Sequence, residues 1–300
     1  MMVRSLVISD TTLHMVTISE DDTKMKKRQK RIALVNDITG FGRCSITVEL
    51  PLLSAMKIQA CPLPTAILSV HTGFTPHYLD DYTERMRPYI ENWRENQVEF
   101  DGICTGFLGS LEQITMVEYF IQHFKRDFTS VMVDPVMGDY GRLYSSYTAE
   151  MCREMRRLLK WADLVTPNLT EACQLLDIPY PKDGQATEEE LYKMAQALAE
   201  KGPKQVVITG LSDDTHIKNY VYEKYGSPNF VVRDKVGGDR SGTGDAFAAI
   251  VAGSLINGLS LNEAVGKAAD FINKVLEYTV ELDLPWNYGL AFEEYLTELK

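Results

Sequence analysis

Short apolar runs alternate with helical patterns along most of the chain, and this alternation constrains the fold more than any other feature. Residues 32–35, 58–65, 100–106, 131–133, 164–165 and 205–210 read as strands. Several are continuously apolar, as strands covered on both faces are. Between them lie helical stretches: one ending near Lys57, then 78–95, 111–125, 148–161 and 188–201. Thr187 and Glu190 have the form of a capping box at the start of the last of these. Residues 219–223 and 229–233 read as a hairpin. A helix over 245–257 follows, then another with Val265, Ala268, Phe271, Ile272 and Val275 on one face. The pattern predicts one α/β domain over 31–300, with a mostly parallel central sheet and helices on both faces. Pro62 and Pro64 place the second strand near an edge.

Polar motifs recur where the apolar runs stop. They are Asn36-Asp37, Thr105-Gly106, Asp134 with Asp139, Thr166 to Glu171, Thr209-Gly210 and a glycine-rich turn at 237–245. Ligands of open α/β sheets bind at the carboxyl ends of the strands, so these distant motifs should face one crevice. The turn Gly242-Thr243-Gly244-Asp245 leads straight into a helix with Phe247, Ile250, Val251 and Leu255 on one face. The first amides of a helix lack internal partners and carry positive potential, and glycine lets an anion approach them closely. The turn is a candidate phosphate cradle. Asp245 has two readings: a complement to the helix N-terminus, or a base that takes a proton from a substrate hydroxyl. Asp134, Asp139 and Glu171 are hard carboxylates suited to a magnesium–nucleotide complex. Asn168 is also a helix cap, with Glu171 in the first turn after it.

Composition limits the partners. The chain has 45% hydrophobic and 24% charged residues and a net charge of -11, which argues against a general nucleic-acid role. No run is long enough to span a bilayer. Five widely spaced cysteines without a CxxC pair suggest reduced thiols and a cytoplasmic setting. Residues 1–30 read as a poorly ordered extension: a solvated tail or an upstream start, with Met25 as another start. Their basic cluster follows the apolar stretch, the reverse of a secretory signal.

Asp134-Pro135-Val136-Met137-Gly138-Asp139, Thr166-Pro167-Asn168-x-x-Glu171-Ala172, Val206-Val207-Ile208-Thr209-Gly210 and Gly242-Thr243-Gly244-Asp245, in that order and spacing, resemble the ribokinase-like superfamily. More closely they resemble its vitamin B6 kinases, from about Arg31 to the C-terminus. The resemblance implies phosphorylation of the 5′-hydroxymethyl group of pyridoxal, pyridoxine or pyridoxamine by MgATP. It makes Asp245 the base and Gly242, Thr243 and Gly244 the anion hole. It puts Asp139 and Glu171 at magnesium, and Asp134 and Thr166 near the phosphates and a monovalent cation (K+ or Na+). Asn168, Thr209 and Tyr144 would contact or border ATP. Asn36, Asp37, Thr65 and His71 would surround the pyridine ring. A homodimer is implied in the same way. The first turn, Asn36-Asp37-Ile38-Thr39-Gly40-Phe41-Gly42, departs from the serine-led turn of better-known pyridoxal kinases, and Asp37 there suits an amine-bearing substrate such as pyridoxamine. Hydroxymethylpyrimidine kinases share the later motifs, and a non-catalytic nucleotide or B6 sensor is a reading of another class.

Overall fold

The computed structural model describes residues 28–300. Its strands are β1 (Arg31–Thr39), β2 (Gln59–Leu68), β3 (Leu79–Asp81), β4 (Gly102–Thr105), β5 (Ser130–Val133), β6 (Gly138–Asp139), β7 (Arg142–Leu143), β8 (Leu164–Val165), β9 (Gln205–Ser212), β10 (His216–Glu223) and β11 (Asn229–Asp234). Its α-helices are α1 (Ile46–Ala55), α2 (Thr83–Glu95), α3 (Leu111–Phe124), α4 (Ala149–Met155), α5 (Leu169–Leu176), α6 (Glu188–Ala199), α7 (Thr243–Ile256) and α8 (Leu261–Glu281). The main sheet runs β11-β10-β9-β8-β5-β4-β1-β2-β3. From β2 to β9 every neighbour is parallel. The antiparallel members are β3 at one edge and the β10–β11 hairpin at the other.

Side-chain alternation along β1 divides the core in two. Ile32 and Leu34 point to the layer of α1, α7 and α8, while Ala33 and Val35 point to the layer of α2 to α6. Both sets are fully buried, which is why the run reads as uniformly apolar. The expected α/β domain with helices on both faces is therefore present. Among the described residues no helix is long and apolar enough to cross a membrane, and the five cysteines are free thiols.

Two local expectations need correction. Residues 78–95 are not one helix: β3 comes first, and the Asp81 carboxylate accepts the Thr83 amide at 2.7 Å as α2 begins. That short strand pairs only with Ala66–Leu68, beyond Pro62 and Pro64, so both prolines sit where β2 lacks an outer neighbour. The helix over 148–161 tightens to a 3-10 helix from Arg156 to Trp161. Between β6 and β7, Tyr140 and Gly141 have φ of 50° and 75°, the two left-handed residues of a tight hairpin turn that the apolar pattern does not signal. The extension at 1–30 lies outside the described residues except for its last three. Of these, Arg28 pairs with Asp101, and Lys30 donates to the carbonyl of Ile256 at 2.6 Å.

Candidate active site

The parallel strands deliver their carboxyl ends to one side of the sheet. Asn36 to Thr39 close β1, Thr105 closes β4, Asp134 and Thr166 follow β5 and β8, and Thr209 lies within β9. Asn168 pairs with Thr209 as an isolated parallel bridge, which carries the sheet one step past Val165.

The glycine turn is anchored to the first loop. Ser241 Oγ donates to Gly42 O at 2.8 Å, and Thr243 Oγ1 donates to Arg240 O at 2.8 Å. Gly242 caps α7 with φ of 76°. A Cβ there would stand 2.1 Å from Arg43 O, so no other residue fits. At Gly244 a Cβ would meet nothing within 4 Å. The first helical closure recorded in this turn is the Ala246 amide to Gly242 O at 2.9 Å, so the amides of Thr243 and Gly244 belong to the unpaired first turn.

Asp245 follows this turn, in the first turn of α7. Asn36 Nδ2 donates to its Oδ1 at 3.3 Å. The Asn36 carbonyl oxygen accepts two amides, from Asp37 at 3.0 Å and from Phe107 at 2.8 Å, which fixes the side-chain orientation. Burial pushes the Asp245 carboxyl up to about 6; the Ser45 backbone and Asn36 resist the rise, and nearby Asp37 adds to it. Asp37 itself is buried, taking the hydroxyl protons of Ser45 at 2.6 Å and Thr39 at 2.7 Å. Burial raises its carboxyl too. Its two oxygens brace the loop that carries Gly42 and Arg43.

The acidic residues are Asp134, Asp139 and Glu171. Glu171 and Asn168 form a capping box, and the second Glu171 oxygen accepts the Met137 amide at 3.1 Å. Burial pushes Glu171 up to about 8. Asp134 is raised well above its ordinary range by burial first and by Glu171 next. Asn168 Nδ2 donates to Gly138 O at 2.8 Å, tying the β6–β7 hairpin to α5. Asp139 is exposed on that hairpin and accepts the Tyr140 amide at 2.9 Å. Tyr144 is also exposed. The hydroxyls of Thr105 and Thr166 are buried without a partner. Among the described residues, no three His, Cys, Asp or Glu side chains make a metal centre of their own.

Of the residues expected at the ring, Asn36 touches Asp245, whereas Thr65 is fully buried and donates to Phe107 O at 2.9 Å. His71 Nδ1 accepts the Gly73 amide at 3.0 Å, so its proton is on Nε2, which donates to Asn287 O at 2.8 Å. Around it Phe41, Phe74, Trp286 and Tyr288 form an aromatic wall. The Ser241 amide reaches Trp286 O at 3.3 Å, joining this wall to the glycine turn. The 286–288 segment was not legible as part of the candidate site, because it lies in a C-terminal stretch without a motif.

Residues 50–287 match the phosphomethylpyrimidine kinase family. The chain superposes on a candidate phosphomethylpyrimidine kinase of Bacteroides thetaiotaomicron, in a crystal form with pyridoxal, at a TM-score of 0.87 and 40% identity; the match covers 91% of this chain and 96% of that one. For the pyridoxal kinase of Lactobacillus plantarum the values are 0.83 and 27%, over 91% and 97% of the two chains. The thiamine biosynthetic bifunctional enzyme TH1 of Arabidopsis thaliana is 28% identical over 89% of this chain, which spans only 50% of that relative's length. The chain thus belongs to the phosphomethylpyrimidine kinase family, ribokinase-like kinases whose fold the pyridoxal kinases share.

Proposed function

We propose that the protein transfers the γ-phosphoryl group of ATP to the 5′-hydroxymethyl group of a vitamin B6 compound: pyridoxal, pyridoxine or pyridoxamine. The observation that carries this reading is a carboxylate, Asp245, held by Asn36 in the first turn of the helix that an open glycine turn begins. Asp245 accepts the hydroxyl proton as the oxygen attacks, and the amides of the Gly242–Gly244 turn offset the charge on the transferring group. Asn36 holds Asp245 in place. The aromatic wall at Phe41, Phe74 and Tyr288 suits a flat heteroaromatic ring and keeps water from the reacting oxygen.

Magnesium fits the acidic side of the crevice. Burial holds the carboxyls of Asp134 and Glu171 above their ordinary range, with Glu171 adding to the rise at Asp134 and Asp139 to that at Glu171, and the buried Thr166 hydroxyl lacks a partner; a cation would relieve both. Asp134, Asp139, Glu171 and Thr166 would hold it, directly or through waters, with Asp134 and Thr166 also near a monovalent ion. Magnesium that arrives on a nucleotide needs only one or two protein carboxylates and would neutralise phosphate charge. Asn168, Thr209 and Tyr144 border the nucleotide in this reading.

The B6 assignment draws on the Bacteroides relative crystallised with pyridoxal. Hydroxymethylpyrimidine is the second reading, favoured by the family match and by the thiamine enzyme of Arabidopsis. ADP formation with MgATP and each of pyridoxal, pyridoxine, pyridoxamine and hydroxymethylpyrimidine separates them. Turnover on the B6 compounds is expected, and turnover on hydroxymethylpyrimidine alone would move the enzyme to the second reading. A lead for pyridoxamine would fit an Asp37 that accepts the amine beside its bonds to Ser45 and Thr39. A pH profile tests the base independently. Asp245 works only when ionised, so kcat/KM should be flat above about pH 6 and fall about tenfold per unit below it. A profile that stays flat well below that pH would remove Asp245 from the role.

A further inference from the structure

Trp286, Asn287 and Tyr288 form a single 3-10 turn near the C-terminus, and each of their carbonyls is taken by a different loop of the site. Trp286 O accepts the amide of Ser241, in the glycine turn, at 3.3 Å. Asn287 O accepts His71 Nε2 at 2.8 Å. Tyr288 O accepts Arg43 Nη1 at 3.2 Å. Just beyond, Leu290, Ala291 and Phe292 are buried, and the Ala291 amide donates to Thr279 Oγ1 at 3.0 Å. The main chain of the turn is thus pinned to the phosphate cradle, the first loop and the core by bonds that its own side chains do not make.

Those side chains are left open. Trp286 is 54% exposed, Phe41 48% and Tyr288 38%. One exposed ring needs no explanation, but these three belong to a single group, and grouped apolar exposure marks a binding surface. Phe74 stands 5.7 Å from Phe41 and 6.3 Å from Tyr288 between ring centroids. His71 lies 4.8 Å from Phe74 and 6.1 Å from Trp286. The tip of the indole rests over Gly73, where a Cβ would come within 2.7 Å of it. Both nitrogens of His71 are engaged, by Asn287 and by the Gly73 amide, so His71 holds the group together and has no nitrogen left for a ligand. Rings fixed on a pinned main chain lose little freedom when a flat ligand stacks on them.

We infer that Trp286 is an acceptor-binding residue, its indole stacking on the flat heteroaromatic ring of the alcohol that is phosphorylated. Because the Trp286 carbonyl is bonded to Ser241, the stacked ring keeps a fixed register with the Gly242 turn, where the phosphoryl group is transferred. The inference rests on the kinase reading above and adds the C-terminal turn to its acceptor site.

Trp286→Ala and Trp286→Phe test it. Neither removes a main-chain bond, and the side chain is half exposed, so both should melt near the unmodified protein. In Trp286→Ala the acceptor KM, and the acceptor Kd from calorimetry without nucleotide, should rise about tenfold, the worth of one stacked ring. Its kcat and its KM for MgATP should stay within about twofold. Trp286→Phe should bring acceptor binding back to within about threefold of the unmodified protein. Unchanged acceptor affinity in Trp286→Ala would overturn the inference. So would a Trp286→Phe protein as weak as Trp286→Ala, or a lower melting temperature with both KM values raised together, the mark of a structural role. If the rings instead cover a contact between two copies of the chain, Trp286→Ala should change the sedimentation coefficient and leave the acceptor Kd alone, which also overturns it. If pyridoxal, pyridoxine, pyridoxamine and hydroxymethylpyrimidine all fail to turn over, the kinase reading fails by itself. Calorimetry with the same four compounds then still decides Trp286: binding that Trp286→Ala weakens keeps it as a ring site, and no binding to the unmodified protein removes it.

Discussion

Asp245→Asn should lower kcat by about 10² to 10⁴, the usual contribution of a positioned general base, while the affinity for MgATP stays within about twofold. Asparagine has nearly the same shape, and Asn36 can turn its hydrogen bond onto the new amide oxygen. The fold of the turn is set by Gly242, Ser241 and Thr243 rather than by the carboxylate. The missing property is the ability to accept a proton. Stability should move the other way. Burial raises the Asp245 carboxyl to about 6, above its value in an unfolded chain, so the folded protein resists its ionisation. The penalty is present in full above about pH 6 and disappears as pH falls toward the unfolded value. Asp245→Asn should therefore melt higher than the unmodified protein at pH 7 to 8, and the difference should shrink on acidification. Loss of turnover with a matching loss of nucleotide binding and of thermal stability would make Asp245 a structural cap, the other reading open from sequence.

Much of this site was legible because its chemistry sits at chain landmarks. A parallel strand ends in a polar residue, and a helix N-terminus follows; both leave marks in sequence at short range. Asn168 and Glu171 illustrate this: cap and acid lie three residues apart, and the capping box follows from that spacing. Contacts across the sheet leave no such mark. Asn36 meets Asp245 over 209 positions, and nothing in either segment announces the other. Asp37 shows how much residue type leaves open. An acid near a ring site suggests an amine partner, and residue type says nothing of the hydroxyls of Thr39 and Ser45 that its two oxygens also accept, partners that lie nearby in sequence but reach it only once the loop has folded back. The β6–β7 hairpin escaped for a different reason, since strands of two residues carry too little pattern to read.

The glycines of the turn should separate stability from chemistry. At Gly242 a methyl group would overlap Arg43 O at 2.1 Å, and the backbone φ of 76° disfavours any Cβ. Left-handed strain and overpacking together should cost about 2 to 4 kcal/mol in Gly242→Ala. Turnover should fall as well, because relieving the overlap shifts the turn off its contact with the first loop. Gly244 is the contrasting case. It lies in the first turn of α7, its φ is not positive, and its methyl group would meet nothing within 4 Å. Alanine is the better helix former by about 1 kcal/mol, so Gly244→Ala should melt at or slightly above the unmodified protein. The same methyl group would occupy the open space that the proposed mechanism gives to the phosphoryl group. Displacing the reacting group by even a fraction of its radius, or losing one amide contact, should reduce kcat about a hundredfold. Thermal melts and initial rates on the two variants decide the matter. Gly242→Ala should lose on both measures and Gly244→Ala on rate alone. A Gly244→Ala enzyme with full turnover would mean that the open space above the turn is not where the phosphoryl group passes, and the anion cradle would have to be sought elsewhere along the strand ends.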